Sequence, residues 1–178
     1  MDFESLAALA KECGFTHCAP LHVDTLEFLP EVRDMCAADK CNKYGKSWSC
    51  PPACGTIEEM RKQVEGYSHG LLVQTVGDLE DSYDWEGIQD TALKNRNNFT
   101  RMWDELEKQY SSIFAMGTGS CMNCEKCTYP DSPCRFPERM AASMEACGLF
   151  VSKVCTDNKL AYNYGQNKIA FTACYMLK

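Results

Sequence analysis

The chain has 178 residues, a net charge of −7 and thirteen cysteines. That length fits a single domain spanning 1–178 with a core that does not depend on disulfides, and the acidic balance excludes nucleic acid, which needs a concentrated positive surface. No apolar run approaches a membrane span, so no membrane partner is expected, and the odd, tightly spaced cysteines fit no disulfide framework.

Phe3, Leu6, Ala7, Leu9, Ala10 and Cys13 fall on one helical face, and Gly14 ends that helix. The stretch carries early acidic residues and lacks the basic start and apolar run of a signal peptide, so a reducing cytoplasm is the expected compartment. Phe15 to Pro20 reads as a short strand.

The first cysteine group is Cys36, Cys41, Cys50 and Cys54, separated by four, eight and three residues. Four thiols so close together point to metal, but the spacing matches neither the usual iron–sulfur nor the usual zinc pattern, and reduced structural thiols are the third alternative. Cys50-Pro51-Pro52 is expected to hold the backbone extended, because proline locks φ and restricts the residue before it. Lys40, Lys43 and Lys46 crowd the group, where they either face an acidic protein or, as the simpler use, offset thiolate charge. Trp48 is placed either to shield a cluster from water or to anchor the loop.

After Cys54, Thr56 and Glu59 have capping-box spacing, and Ile57, Met60 and Val64 continue at helical intervals. Gly70 to Val76 is the clearest strand. A polar segment follows in which Phe99, Met102, Trp103, Leu106 and Tyr110 mark a helix of about five turns starting near Asp90. Ser112 to Gly117 then reads as a strand that delivers the second cysteine group.

That group is Cys121, Cys124, Cys127 and Cys134, three thiols at a spacing of three and a fourth seven positions on. The triad reproduces the start of the ferredoxin run Cys-x2-Cys-x2-Cys-x3-Cys-Pro, whose tight reversals wrap one face of a cubane. The fourth ligand departs from it, since six residues intervene and Pro133 precedes Cys134 rather than following it. A four-thiolate zinc site is the main alternative, although zinc sites usually present two separated pairs, and inert thiols are the remaining one. Pro137 fits a first helical turn and Gly148 its end, so both groups are expected to stand before helix N-termini whose free N–H groups face the thiolates. Leu149 to Val151 and Ile169 to Leu177, after a turn at Tyr164 to Asn167, complete the strands. The expected fold is mixed α/β in the α+β sense, one small sheet of four or five strands flanked by helices, with metal loops at 36–54 and 121–134.

His17, His22 and His69 are too scattered for a zinc dyad and read as packing or surface residues. Cys13, Cys18, Cys147, Cys155 and Cys174 lie in apolar patterns, where cysteine acts as a small hydrophobe. No phosphate loop, paired catalytic carboxylates or serine nucleophile motif stands out, so no catalytic residue is assigned.

Cys36-x4-Cys41-x2-Tyr44-Gly45-Lys46-x-Trp48-x-Cys50-Pro51-Pro52, followed by the Cys121, Cys124, Cys127 triad, Pro133-Cys134-Arg135-x-Pro137, Ser143-Met144-Glu145-Ala146 and Gly148, resembles the predicted metal-binding proteins of domain of unknown function 2284. The resemblance covers nearly the whole chain. It implies a small prokaryotic metal-binding protein of a kind frequent in anaerobes, and it carries over the first group as far as Cys50, with Cys54 at a variable place.

The functional expectation is an iron–sulfur protein with one or two [4Fe–4S] clusters, transferring single electrons to a redox partner protein, with the sheet setting the distance between clusters. An open iron with a substrate bound between two lobes is a variant of this reading. The alternatives are a non-enzymatic zinc protein with a structural or regulatory role, and a metal-free dithiol protein built on Cys121-x2-Cys124. The sequence fixes no oligomeric state.

Overall fold

The computed structural model describes residues 2–178. Five helices, α1 (Phe3–Glu12), α2 (Pro30–Asp34), α3 (Ile57–Val64), α4 (Trp85–Leu106) and α5 (Val151–Asp157), surround four strands, β1 (His17–His22), β2 (His69–Asp78), β3 (Ile113–Met116) and β4 (Lys168–Leu177). The strands form one sheet in the order β1-β2-β4-β3, antiparallel throughout. None of these helices is long and apolar enough to cross a membrane.

The two-residue period of a strand sorts the core into two layers. Leu71, Val73, Ala115, Ala173, Tyr175 and Leu177 face α1 and α4, where they meet Leu6, Ala10, Met102, Trp103 and Leu106. Leu72, Met116, Cys174 and Met176 face the other way, against α3, α5 and the 141–149 segment. Register fixes this sorting: Leu72 stands opposite Cys174 on β4, and Ala115 on β3 opposite Tyr175. The buried Tyr175 hydroxyl donates to the Phe99 carbonyl at 2.7 Å, and its ring stacks on Phe99 at 5.0 Å, so α4 is clamped to the central strand.

The helix ends follow local chemistry. Thr56 and Glu59 form the reciprocal capping box that the sequence predicts for α3. The long helix starts at Trp85 rather than near Asp90, because the Asp84 carboxylate accepts from the Gly87 N–H at 2.9 Å and from the Glu80 N–H at 3.0 Å.

Two expected elements are replaced. The segment from Pro137 to Gly148 is not a helix: only Pro137–Arg139 forms a 3-10 turn. Beyond it, the Ala142 carbonyl accepts from the Gly117 N–H at 2.9 Å and Ser143 bridges Gly117 in parallel, which draws this stretch alongside the end of β3. Leu149 to Val151 is not a strand either. Leu149 makes an isolated bridge to Phe28, and α5 begins at Val151.

Candidate metal centre

The second cysteine group leaves the sheet where β3 ends. The Thr118 hydroxyl donates to the Thr172 carbonyl on β4 at 2.9 Å and ties the take-off point to the central strand. Beyond it, 121–134 has neither helix nor strand and is held by its own polar contacts: Thr128 donates to the Pro133 carbonyl at 2.9 Å, Arg135 to the Lys126 carbonyl at 2.9 Å, and Asn123 to the Arg139 carbonyl at 2.6 Å. Cys121, Cys124, Cys127 and Cys134 all line one small cavity, which Ser47, Trp48, Phe136 and Met140 help to close.

The two candidate metals ask for different thiolate spacings. A tetrahedral zinc with about 2.3 Å bonds draws its thiolates to within about 4 Å of one another. Among the described residues no three histidine, cysteine, aspartate or glutamate side chains converge in a way that suits a single metal ion. A multi-iron cluster asks for wider thiolates, because each sulfur bonds a different iron.

The cavity is rich in donors aimed at sulfur. Burial pushes the Cys127 thiol up, but the N–H groups of Tyr129 and Trp48, the Ser47 hydroxyl and the Thr128 N–H outweigh it and bring the thiol below its ordinary value of 9.0. For Cys121 burial prevails and raises the thiol, with the Asn123 and Ala141 N–H groups offsetting part of the rise. In protein stripped of metal, Cys127 is therefore expected to be alkylated at lower pH than an ordinary cysteine, because the thiolate is the nucleophile. Cys174, fully buried and pushed up to about 12 by desolvation, is expected to stay unreacted until the chain unfolds. Mass mapping of iodoacetamide adducts across pH checks both, and equal labelling of the two would remove the donor argument.

The first group gathers under α2 and at the entrance to α3. Cys50 and Cys54 are buried, Cys36 is half-buried and Cys41 is exposed. Burial raises the Cys50 thiol, the Ser49 hydroxyl lowers it, and the charges of Cys41, Cys54 and Cys36 raise it further, so Cys50 lies within electrostatic reach of the other three. After Cys50 the chain does not run extended as Cys-Pro-Pro suggests. It closes into a turn in which the Cys54 N–H donates to the Cys50 carbonyl at 3.1 Å. The cation beside this group is Arg33, which donates to the Gly55 carbonyl and, at 3.6 Å, to the Cys54 sulfur. Its Nη1 is buried without a partner, as suits a site that gathers negative charge. Lys46 reaches Asp39 and Asn42 rather than a cysteine.

Helix N-termini do not supply the donors expected of them. The capping box of α3 uses the Thr56 and Glu59 N–H groups internally, and the second group is followed by a three-residue 3-10 turn rather than a helix. Nor does the sheet alone set the relation between the two groups. Residues 47–49 do so directly: Ser49 Oγ accepts from the Cys121 N–H at 2.8 Å, and the Trp48 indole donates to the Ser132 carbonyl at 3.1 Å while its ring meets Tyr129 edge-on at 5.0 Å. Trp48 thus anchors the second loop, and Cys50 follows immediately.

A protein-family profile described as predicted metal-binding protein (DUF2284) matches residues 19–177. The chain belongs to the DUF2284 family. No curated protein and no solved structure matches it. The DUF2284 assignment supports a metal cofactor and leaves the choice of metal to the chemistry of the thiols. Ser47, Ser49 and Arg33 are the residues of this DUF2284 centre that the sequence alone did not single out. The two serines flank Trp48 beside Cys50, which is a faint local signal, whereas nothing near Arg33 marks it. Cys147 is fully buried next to Cys54, and with Cys13, Cys155 and Cys174 it fits the role of a small core hydrophobe.

Proposed function

We propose that the protein is an iron–sulfur redox protein that transfers single electrons to a partner protein, with Cys121, Cys124, Cys127 and Cys134 holding one [4Fe–4S] cluster and Cys36, Cys41, Cys50 and Cys54 a second. The observation that carries this reading is the single cavity that Cys121, Cys124, Cys127 and Cys134 line together, with the Cys127 thiol lowered by nearby N–H groups and the Ser47 hydroxyl. Bound there, a cluster supplies reversible one-electron chemistry at a potential set by hydrogen bonds and burial.

The chain's own residues do the tuning. Donors to a ligating sulfur stabilise the more negative, reduced state and raise the potential. Ser47, Trp48, Thr128 and Tyr129 act this way at Cys127, and Arg33 at Cys54. The half-buried cysteines of the second loop keep that centre near the surface, where an electron partner reaches it. The exposed Cys41 gives the first group an outward corner.

The test is iron, sulfide and zinc per chain together with the visible spectrum of protein purified without oxygen. About eight iron and eight sulfide with broad absorbance near roughly 400 nm is the expected result. One or two zinc and no colour, after cluster reconstitution has also been attempted, would replace this reading with a structural zinc protein.

A further inference from the structure

A cavity of about 540 Å³ opens between α4, the turn after β3 and the 139–141 segment, within the range of small-molecule sites. Its walls include Cys41 from the first cysteine group and Cys121 from the second. Apolar surface comes from Leu93, Phe99, Trp103 and Phe171. A larger depression of about 880 Å³ near His22, Phe28 and His69 touches no cysteine.

One wall residue is an unanswered acceptor. Asn95 is 3% exposed, and its Oδ1 is buried without a hydrogen-bond partner. The surrounding bonds fix which amide atom this is. Thr118 gives its only proton to the Thr172 carbonyl, so it can accept from Asn95 but not donate to it, and the Asn95 atom 3.2 Å away must be Nδ2. Oδ1 is left with no donor in the protein, and a buried acceptor without a partner is costly.

The charges at the cavity are both cationic, and only one is free. Arg139 is committed to Asp104 at 2.6 Å and Glu107 at 2.8 Å, with its guanidinium over the Trp103 ring at 4.7 Å. Arg96, on the exposed face of α4, has no ion-pair partner among the described residues.

We propose that this cavity binds a small aromatic anion that presents an N–H or O–H donor to Asn95 Oδ1, stacks its ring among Phe99, Trp103 and Phe171, and sets its negative group at Arg96. This binding stands on the cavity's own side chains and does not depend on which metal the cysteines hold.

Indole-3-acetate is the probe, because it carries all three features. Naphthalene-1-acetate has nearly the same shape without the N–H, and 3-methylindole lacks the carboxylate. Isothermal titration of the purified full chain is expected to give a Kd for indole-3-acetate below about 1 mM, with each comparison compound about tenfold weaker. Asn95→Leu is expected to remove the preference for indole-3-acetate over naphthalene-1-acetate. Should that buried change disturb folding, the surface change Arg96→Ala still decides the matter, by weakening indole-3-acetate while leaving 3-methylindole unaffected. Absence of heat with all three compounds, as from a cavity that only water fills, would overturn the proposal. So would equal affinity for indole-3-acetate and its naphthalene analogue, or unchanged affinity in Arg96→Ala.

Discussion

Replacing Cys127 by alanine is expected to remove about four of about eight irons per chain and to halve the absorbance near roughly 400 nm, leaving the first group loaded. Cys127 is the thiol on which the Tyr129, Trp48 and Thr128 N–H groups and the Ser47 hydroxyl converge. Removing the sulfur therefore takes away a proposed ligand together with the group these donors stabilise. The first group should survive, because Ser49 still holds the Cys121 N–H and the Arg33 contacts with Cys54 and Gly55 are untouched. Iron and sulfide analysis with circular dichroism on the same sample separates the outcomes. Full iron retention would show that Cys127 is not a ligand. Complete loss with a native fold would show that all eight cysteines serve one shared site.

Gly70→Ala is expected to cost about 3 kcal/mol, the upper part of the range for overpacking, or to leave the chain insoluble. Gly70 lies in β2 opposite Met176, and a Cβ there would be driven into the Tyr175 carbonyl oxygen, closer than carbon and oxygen can pack. The second neighbour, Leu21 Cδ2 at 3.3 Å, can turn aside, but the backbone of the central strand cannot. The methyl group must therefore part β2 from β4, and the whole sheet depends on that pair. Gly66→Ala is the control, with nothing within 4 Å of the added carbon and no unusual φ. Its expected effect is neutral or slightly stabilising, through the unfolded chain. Urea unfolding midpoints compare the two, and a Gly70→Ala protein within about 0.5 kcal/mol of the parent would refute the register.

The elements that were legible in the sequence carry their instructions locally. The apolar period of α1, the Thr56–Glu59 box of α3 and the continuous apolar runs of β2 and β4 need only neighbours a few positions away. The failures came where distant contacts overrode local preference. Met140 to Ala146 has helix-forming composition, yet the end of β3 claims its backbone. Leu149 to Val151 is an apolar run that suggests a strand, but Val151 opens α5, whose Val154 and Cys155 are buried in the core. The short α2 was not anticipated at all.

The candidate site divides in the same way. The two cysteine groups stand out by their spacing, and in the fold the second lines one cavity while Cys36, Cys41 and Cys54 lie within electrostatic reach of Cys50. The 47–49 strap could not, because Ser49 and Cys121 are 72 positions apart, and neither could the Asn95 cavity, which is assembled from segments that no local pattern connects.

The strand order β1-β2-β4-β3 sets a timetable for assembly. β4 lies between β2 and β3, and it is synthesised after both cysteine loops. On the ribosome the eight thiols therefore emerge before the strand that anchors Thr118 and closes both layers of the core exists. A nascent chain can offer its loops to metal but cannot yet hold them in place. Stable loading thus waits until β4 has emerged and paired, and before then the thiol loops stand open to oxidation.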